Sequence, residues 1–182
     1  VLDMSKLEAG KLDTKEEAFD LKKLMDEVDV LMEAQLIQTG IAYRRHEGTI
    51  RHTKLYGTSL QLRRIMLNLL SNAVKYNKEN GPIDTYVQEL SDDGETAVFE
   101  VKIVDSGTGM SREFIENELF KPFTQETNDA RTKYRGTGLG MSIVKALIDL
   151  MGGTIEVESK LGKGTAFIFR ISFKIDQNIH QQ

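Results

Sequence analysis

The sequence predicts an α+β fold, a two-layer α/β sandwich whose mixed, mostly antiparallel sheet is covered by helices on one face. Strand-like segments come in pairs that are interleaved with helical segments, which is typical of this class. The last strand places Phe167, Phe169, Ile171 and Phe173 at alternate positions, as a half-buried strand requires. With 182 residues, of which 40% are hydrophobic and 29% charged, the chain fits one domain with a single core.

Helical periodicity and capping residues predict the helices. They cover residues 1–9, 20–38, 60–76, 111–118 and 140–151. Asp20 is the predicted N-cap of the second helix. Thr58, with Gln61 three residues later, predicts a capping box for the third. Gly10 and the pair Gly152-Gly153 are predicted to end the first and the last helix.

Strands are predicted in pairs, each joined by a short turn. They cover residues 41–46, 50–55, 83–90, 97–104, 154–159 and 165–173. Glu47-Gly48-Thr49 is the predicted turn of a first hairpin, Ser91 to Gly94 of a second, and Gly162-Lys163-Gly164 of a third.

The remaining segments are polar. Residues 124–135 contain few core-forming side chains and are expected to be mobile. The chain opens on Val1 in the middle of a helical pattern, so we expect it to be a piece of a longer protein. The predicted organisation is a helix end and linker at 1–15, one domain at 16–175 and a C-terminal linker at 176–182.

Composition excludes several classes of function. A net charge of −4 argues against general binding of nucleic acid, which needs a basic face. The absence of cysteine excludes disulfides and thiolate metal sites, and no apolar run approaches the length of a membrane span. Two groups of basic residues occur, and each by itself is typical of a solvated surface. They are Arg63, Arg64, Lys75 and Lys78, and Arg131, Lys133 and Arg135.

The third predicted helix carries an unusual polar stripe. Asn68 and Asn72 lie one turn apart, and Lys75 and Tyr76 follow one turn later. Asparagine inside a helix costs about 0.6 kcal/mol relative to alanine, so two of them need a reason. Each could hydrogen-bond the backbone within the core, but the whole stripe favours a ligand. Amide oxygens suit Mg²⁺ held through phosphates, a lysine can meet phosphate charge, and a tyrosine can cover a ring.

The strand that ends at Val104 leads into Asp105-Ser-Gly107-Thr-Gly109. An ionised carboxylate only accepts hydrogen bonds, so Asp105 can bind the exocyclic amine of adenine. The two glycines let the backbone approach a flat ring closely. This segment by itself is equally typical of a turn.

A glycine-rich loop, Gly136-Thr137-Gly138-Leu139, runs into the helix that Gly140 opens. Backbone N–H groups at a helix start favour phosphate. A dinucleotide-binding fingerprint is excluded because its third glycine would fall at Met141, and a Walker-type loop because no Gly-Lys-Ser/Thr follows. Near the end of the chain, Thr165 follows a glycine turn and can join an adenine pocket, although a plain hairpin turn explains that segment equally well.

Taken in order, these segments resemble the histidine kinase branch of the superfamily that also contains gyrase, the ninety-kilodalton heat-shock chaperone and the mismatch-repair ATPase. The resemblance rests on five motifs. They are Asn68 to Tyr76, Asp105 to Gly109, Phe120 to Phe123, Gly136 to Gly140 and Gly162 to Thr165. It implies an ATP-binding catalytic domain, and it identifies residues 1–10 as the end of the second helix of a dimerisation hairpin.

The resemblance also implies the roles of individual residues. Asn72 would hold Mg²⁺, Asp105 the adenine, and residues about 120–139 would form a lid over ATP. We assign catalysis to Asn68, Lys75 and Arg135. The nucleotide-binding residues implied are Asn72, Lys75, Tyr76, Asp105, Gly107, Gly109, Phe123, Gly136, Thr137, Gly138, Leu139, Gly140 and Thr165.

Two departures from the family pattern concern His46 and Asn77. The accepting histidine of the family stands in a His-Glu-x-x-Asn/Thr/Pro setting on a helix, and His46-Glu47 is followed by Ile50 where Asn, Thr or Pro belongs. We interpret His46 as a surface residue. Asn77 stands where a threonine is usual.

Two classes of function fit the motifs. One is a kinase domain that transfers phosphate from Mg-ATP to a histidine outside this chain, and the other is an ATP-hydrolysing clamp like gyrase or the chaperone. Position 68 favours the kinase, because such clamps carry a glutamate there as general base and Asn68 cannot accept a proton. The expected partners are the dimerisation helices of the same protein and a response regulator or receiver domain. The expected location is the cytoplasmic side of a membrane-bound sensor.

Overall fold

The computed structural model describes residues 14–78, 81–121 and 140–177. Its helices are α1 (Leu21–Leu36), α2 (Ser59–Lys75), α3 (Arg112–Asn117) and α4 (Gly140–Leu150). Its strands are β1 (Glu17–Asp20), β2 (Tyr43–Glu47), β3 (Lys54–Gly57), β4 (Ile83–Asp92), β5 (Thr96–Asp105), β6 (Thr154–Lys160) and β7 (Gly164–Ile175). The predicted helix end at 1–9 and the polar stretch 124–135 lie outside the described residues.

The strands form one sheet in the order β1-β3-β7-β5-β4-β2, and β6 runs beside the first part of β7. Only β2 and β4 are parallel among these pairs. The predicted fold class, a mixed and mostly antiparallel sheet with helices, is therefore confirmed. None of the helices in the described ranges is both long and apolar enough to cross a membrane.

The core lies between the helices and one face of the sheet. Alternate residues of β5, Ala97, Phe99, Val101 and Ile103, are almost completely buried. The same alternation places Asp105 at the end of this strand on the buried face. The apolar positions of α2 that the sequence predicted to be core are buried as well. They are Leu62, Ile65, Met66, Leu69, Leu70 and Ala73.

The predicted hairpin of residues 41–46 and 50–55 is wrong. β2 lies at one edge of the sheet beside β4, whereas β3 pairs with β1 and β7 on the far side. The segment between them is held along β4, where the carboxylate of Glu89 accepts hydrogen bonds from the backbone N–H of Arg51 (3.1 Å) and His52 (2.9 Å). These bonds join residues that are far apart in the sequence, so the local residue pattern at the predicted turn does not indicate them.

Two further differences from the predictions concern strand β1 and the first turn of α2. Residues 17–20 form strand β1, which the sequence analysis did not predict, because so short an edge strand shows no alternation long enough to detect. The predicted capping box at Thr58 is wrong as well, since the Thr58 side chain makes no capping hydrogen bond. The backbone carbonyl of Thr58 instead accepts from the N–H of Gln61 (3.1 Å), and the Gln61 side chain is buried.

The predicted N-cap of α1 is confirmed and gives a first stability prediction. Asp20 Oδ1 accepts from the backbone N–H of Lys22 (2.9 Å) and Lys23 (3.2 Å), and Oδ2 accepts from Lys54 Nζ (2.6 Å). We expect Asp20→Ala to lower the free energy of unfolding by about 1 kcal/mol. Asp20→Asn is the matched control, because it keeps the capping oxygen, and it should cost less. Equal losses from both variants in chemical denaturation would contradict the capping account.

The same carboxyl gives the loss of stability in acid. Burial alone would raise the pKa of Asp20, but the hydrogen bonds from Lys54 and from the backbone N–H of Lys23 lower it below its ordinary value. Because the pKa of Asp20 is lower in the folded than in the unfolded chain, its ionised carboxylate stabilises the fold above about pH 4. This contribution to stability is lost as the pH falls through the pKa of the folded state. Asp20→Asn should therefore weaken the dependence of stability on pH below about pH 4.

Candidate functional site

The last two turns of α2 carry the polar stripe. Asn68 and Asn72 are half-buried, and neither side chain hydrogen-bonds any part of the chain that the structure describes. Lys75 is exposed on the last turn and Tyr76 is half-buried at the C-cap. Two amides without a hydrogen bond in the described ranges, on a helix whose other side is core, are placed to bind a ligand.

Asp105 lies beside this end of α2, at the end of the central strand β5. Its residue is only 7% exposed, and Oδ1 accepts from the backbone N–H of Gly107 (2.8 Å). A carboxylate offers a second acceptor oxygen, so this bond does not exclude another from a ligand. Thr165, also 7% exposed, is the register partner of Asp105 on the neighbouring strand β7. The strand pairing therefore brings together two predicted site residues that lie 60 positions apart in the sequence.

The loop of residues 106–110 is tied to both neighbours of the site. The N–H of Thr108 donates to the carbonyl of Tyr76 (3.0 Å), and the carbonyl of Thr108 accepts from the N–H of Gly162 (2.8 Å). A Cβ on Gly107 would lie 1.9 Å from the Tyr76 carbonyl oxygen. Gly109 has a φ of +68°, and a Cβ there would lie 2.1 Å from the carbonyl oxygen of Lys160. Both glycines are therefore required where the loop passes between α2 and β6.

These close approaches predict a strong effect of one methyl group. Gly107→Ala should lower the free energy of unfolding by about 3 kcal/mol or more, because the methyl meets rigid backbone atoms. Gly140→Ala is the control, since a Cβ there meets nothing within 4 Å among the described residues, and it should not lower stability. Chemical denaturation of both variants measures the difference. A Gly107→Ala protein as stable as the parent chain would show that the loop is not held between these elements.

Sequence reasoning missed Ser159 on β6. Its hydroxyl is 2.8 Å from three atoms, the backbone nitrogen of Met110, the carbonyl oxygen of Gly164 and Oγ1 of Thr165. Ser159 thereby joins the far end of the 106–110 loop to the turn before β7. The signal was available in principle, because a hairpin centred on Gly162 places Ser159 opposite Thr165.

Several predicted site residues lie outside the described residues. They are Phe123, Arg135, Gly136, Thr137, Gly138 and Leu139. Gly140 is described and begins helix α4, as the sequence predicted, and it is exposed. The described part of the site therefore consists of the α2 stripe, Asp105 with its loop, and Thr165 with Ser159.

The two histidines of the described ranges lie away from this site and on no helix. His46 is on β2, where its ring stacks on Tyr86 and Nε2 is 2.8 Å from Asp84 Oδ1. Burial alone would raise the pKa of Asp84, but hydrogen bonds from His46 and Arg44 lower it. His52 Nδ1 is 2.9 Å from Glu89 Oε2. Each imidazole therefore contacts a neighbouring carboxylate, which is typical of a histidine with a structural role.

The comparisons with known proteins agree with this arrangement. Residues 57–175 match the sequence pattern of the histidine kinase-, DNA gyrase B- and HSP90-like ATPase family. The chain therefore belongs to this family. The matched range contains every described site residue from Asn68 to Thr165.

Within that family the similarity is to the ATP-binding catalytic domain of histidine kinases. The signal transduction histidine-protein kinase BarA of Escherichia coli (strain K12) is 35% identical over 179 residues, which are 98% of this chain and 19% of BarA. Full-length ShkA, solved in complex with AMPPNP, is 28% identical with a TM-score of 0.75, covering 96% of this chain and 34% of ShkA. The catalytic domain of the histidine kinase ThkA, nucleotide-free, is 26% identical with a TM-score of 0.70, covering 86% of this chain and 95% of that domain.

These matches confirm the family that the order of the motifs predicted. The chain spans 19% of the length of BarA and 20% of the length of the autoinducer 2 sensor kinase/phosphatase LuxQ of Vibrio vulnificus (strain YJ016). The similarity therefore covers one domain of larger signalling proteins.

Proposed function

We propose that this domain binds Mg-ATP and transfers the γ-phosphoryl group to a histidine on the helical dimerisation hairpin of the same protein, in a two-component signalling system. The observation that carries the proposal is that Asp105 and the polar stripe of α2 lie on adjoining elements of the fold. An acceptor-only carboxylate for the adenine amine and a row of amides for the phosphate end lie on adjoining elements, joined through the bond from Thr108 to Tyr76.

The residues fit a nucleotide. Gly107 and Gly109 let the loop after Asp105 pack closely against the backbone of Tyr76 and Lys160, and Tyr76 lies at the same end of α2 as the amide stripe. Asn72 offers an amide oxygen that bonds nothing in the described ranges, and it is of the type that Mg²⁺ accepts alongside its waters and phosphate oxygens. When bound, Mg²⁺ supplies positive charge that stabilises the phosphates of ATP. Lys75, exposed on the last turn, supplies further positive charge at the same end.

The transfer itself needs little covalent chemistry from the domain. A neutral imidazole nitrogen of the acceptor attacks the γ-phosphorus, a nitrogen–phosphorus bond forms, the bond to the β–γ bridging oxygen breaks, and ADP leaves. The domain contributes position and charge. Asn68 suits this role because an imidazole needs no general base, whereas water would need one.

The partners follow from the same proposal. Neither His46 nor His52 lies on a helix, so the acceptor is proposed to be on the dimerisation hairpin, and the phosphate then passes to a response regulator or receiver domain. We place the domain on the cytoplasmic side of a membrane-bound sensor, as expected for a kinase that uses cellular ATP. Similarity to BarA, a signal transduction histidine-protein kinase, supports the signalling role.

Calorimetry tests the binding half of the proposal. We expect the chain to bind ADP in the presence of Mg²⁺ and to bind it more weakly when EDTA removes the metal. Affinity that is the same with and without Mg²⁺ would refute the role given to Asn72. No binding of either ADP or ATP would refute the proposed function as a whole.

A further inference from the structure

The hydroxyl of Ser159 stands where three elements of the nucleotide site meet. It contacts the backbone nitrogen of Met110, the carbonyl oxygen of Gly164 and the hydroxyl of Thr165, each at 2.8 Å. Thr165 and Met110 are buried, at 7% and 2% exposure, so these bonds lie in the interior of the site. Ser159 lies outside all five motifs that carry the family resemblance.

The chemistry of the three partners fixes which atom donates in each bond. A hydroxyl has one proton and two acceptor lone pairs. The Gly164 carbonyl cannot donate, so the Ser159 proton goes to it. The Met110 N–H cannot accept, so it donates to Ser159. The remaining lone pair of Ser159 must then accept the proton of Thr165, and all three bonds are satisfied at once.

We infer that Ser159 is a positioning residue that commits the Thr165 proton, so that Thr165 presents only acceptor lone pairs to the base and reads the exocyclic amine of adenine together with Asp105. This inference rests on the proposed function, because it assumes that the base lies against Asp105 and Thr165. It adds a residue and a selectivity mechanism to that site.

The strand register supports binding of the adenine amine by both Asp105 and Thr165. Asp105 and Thr165 are register partners on β5 and β7, and Thr165 and Ser159 are register partners on β7 and β6. Directly opposed side chains have Cβ atoms about 5 Å apart, so the three form one polar row across the sheet. An ionised carboxylate and a hydroxyl whose proton is engaged both accept. A donor amine satisfies both, and a base without one satisfies neither.

Ser159 also fixes the loop that carries the glycines. The N–H of Gly107 donates to Asp105 and the N–H of Met110 donates to Ser159, each at 2.8 Å. The two ends of the loop are therefore attached to the two ends of the polar row. Removing the Ser159 hydroxyl releases one of these attachments and frees the Thr165 hydroxyl to rotate.

The test compares two nucleotides in calorimetry, Mg-ADP and the diphosphate of 6-unsubstituted purine riboside, which lacks only the amine. The parent chain should bind ADP more tightly than the purine analogue. Ser159→Ala should weaken ADP about threefold to tenfold and the analogue less, which narrows the ratio of the two affinities. Ser159→Thr keeps a hydroxyl and should preserve the ratio.

A second variant isolates the contribution of Thr165. Thr165→Val keeps the side-chain shape, and an acceptor-only threonine predicts that ADP weakens while the analogue does not. The double variant Ser159→Ala/Thr165→Val should narrow the ratio no further than Thr165→Val, because Ser159 acts on the ratio through Thr165. Thermal unfolding without nucleotide measures any general loss of fold separately from the ratio. If Ser159→Ala folds poorly, Ser159→Thr tests position 159 and Thr165→Val tests whether Thr165 binds the amine.

Failure of the inference and failure of the proposed function give different results. An unchanged ratio in Ser159→Ala, or equal weakening of both nucleotides in Thr165→Val, would overturn the inference while leaving ADP binding intact. Failure of the parent chain to bind ADP would instead overturn the proposed function on which the inference rests.

Discussion

Asp105→Asn should weaken binding of ADP and ATP by about 30-fold to 100-fold, as expected when a hydrogen bond to a charged acceptor is lost in a buried site. The structure gives the reason. The carboxylate already accepts from the N–H of Gly107 at 2.8 Å, and its second oxygen allows a further bond. Asparagine has one acceptor oxygen. If that oxygen keeps the bond to Gly107, its amide N–H₂ faces the adenine amine, and a donor opposes a donor.

The same reasoning predicts base selectivity. Guanine carries a carbonyl where adenine carries the amine, so the parent chain should bind GTP weakly compared with ATP, whereas Asp105→Asn should narrow that difference. Calorimetry with the four combinations of protein and nucleotide measures it. Equal affinity of the parent chain for ATP and GTP would show that Asp105 does not read the base.

Asn72→Ala should abolish phosphoryl transfer while making the fold no less stable. The Asn72 side chain bonds to nothing in the described ranges, and alanine is the better helix former, so the free energy of unfolding should rise by about 0.5 kcal/mol. Transfer should fall by about 100-fold or more, because the phosphate charge is left uncompensated in the transition state.

Asn72→Asp is the matched control, since it keeps an oxygen ligand of similar size and should retain part of the activity. Transfer to an acceptor is followed with labelled ATP, and stability by chemical denaturation. A variant that loses stability and activity together would indicate that Asn72 supports the fold. Full transfer by Asn72→Ala would show that the residue holds no metal.

The sequence predicts best what is decided locally. Asp20 caps α1 as expected because the capping bonds reach only two and three residues along the chain. The stripe of α2 follows from helical periodicity, and Asp105 from its place at the end of an apolar strand. In each case the determining neighbours are close in sequence.

Apart from the capping box at Thr58, the failures involve partners that are distant in sequence. The segment after β2 departs from a hairpin because Glu89, 37 or more positions away, binds its backbone. The first strand is recognised only by its pairing with β3. Ser159 becomes part of the site through Met110, 49 positions earlier, and this contact depends on how the loop packs on β6. Such features require the register of the sheet, which residue patterns do not specify.

The central claim is that this domain donates phosphate to a histidine carried on another segment, and one measurement tests it directly. The chain is incubated with labelled Mg-ATP, alone and with a separately supplied helical hairpin that bears a histidine in the His-Glu-x-x-Asn/Thr/Pro setting. The account predicts acid-labile phosphate on the hairpin, little label on the chain and little ATP hydrolysis without an acceptor. Label on His46 or His52, or rapid steady hydrolysis of ATP with no acceptor present, would contradict it and would favour a self-modifying enzyme or an ATP-driven clamp.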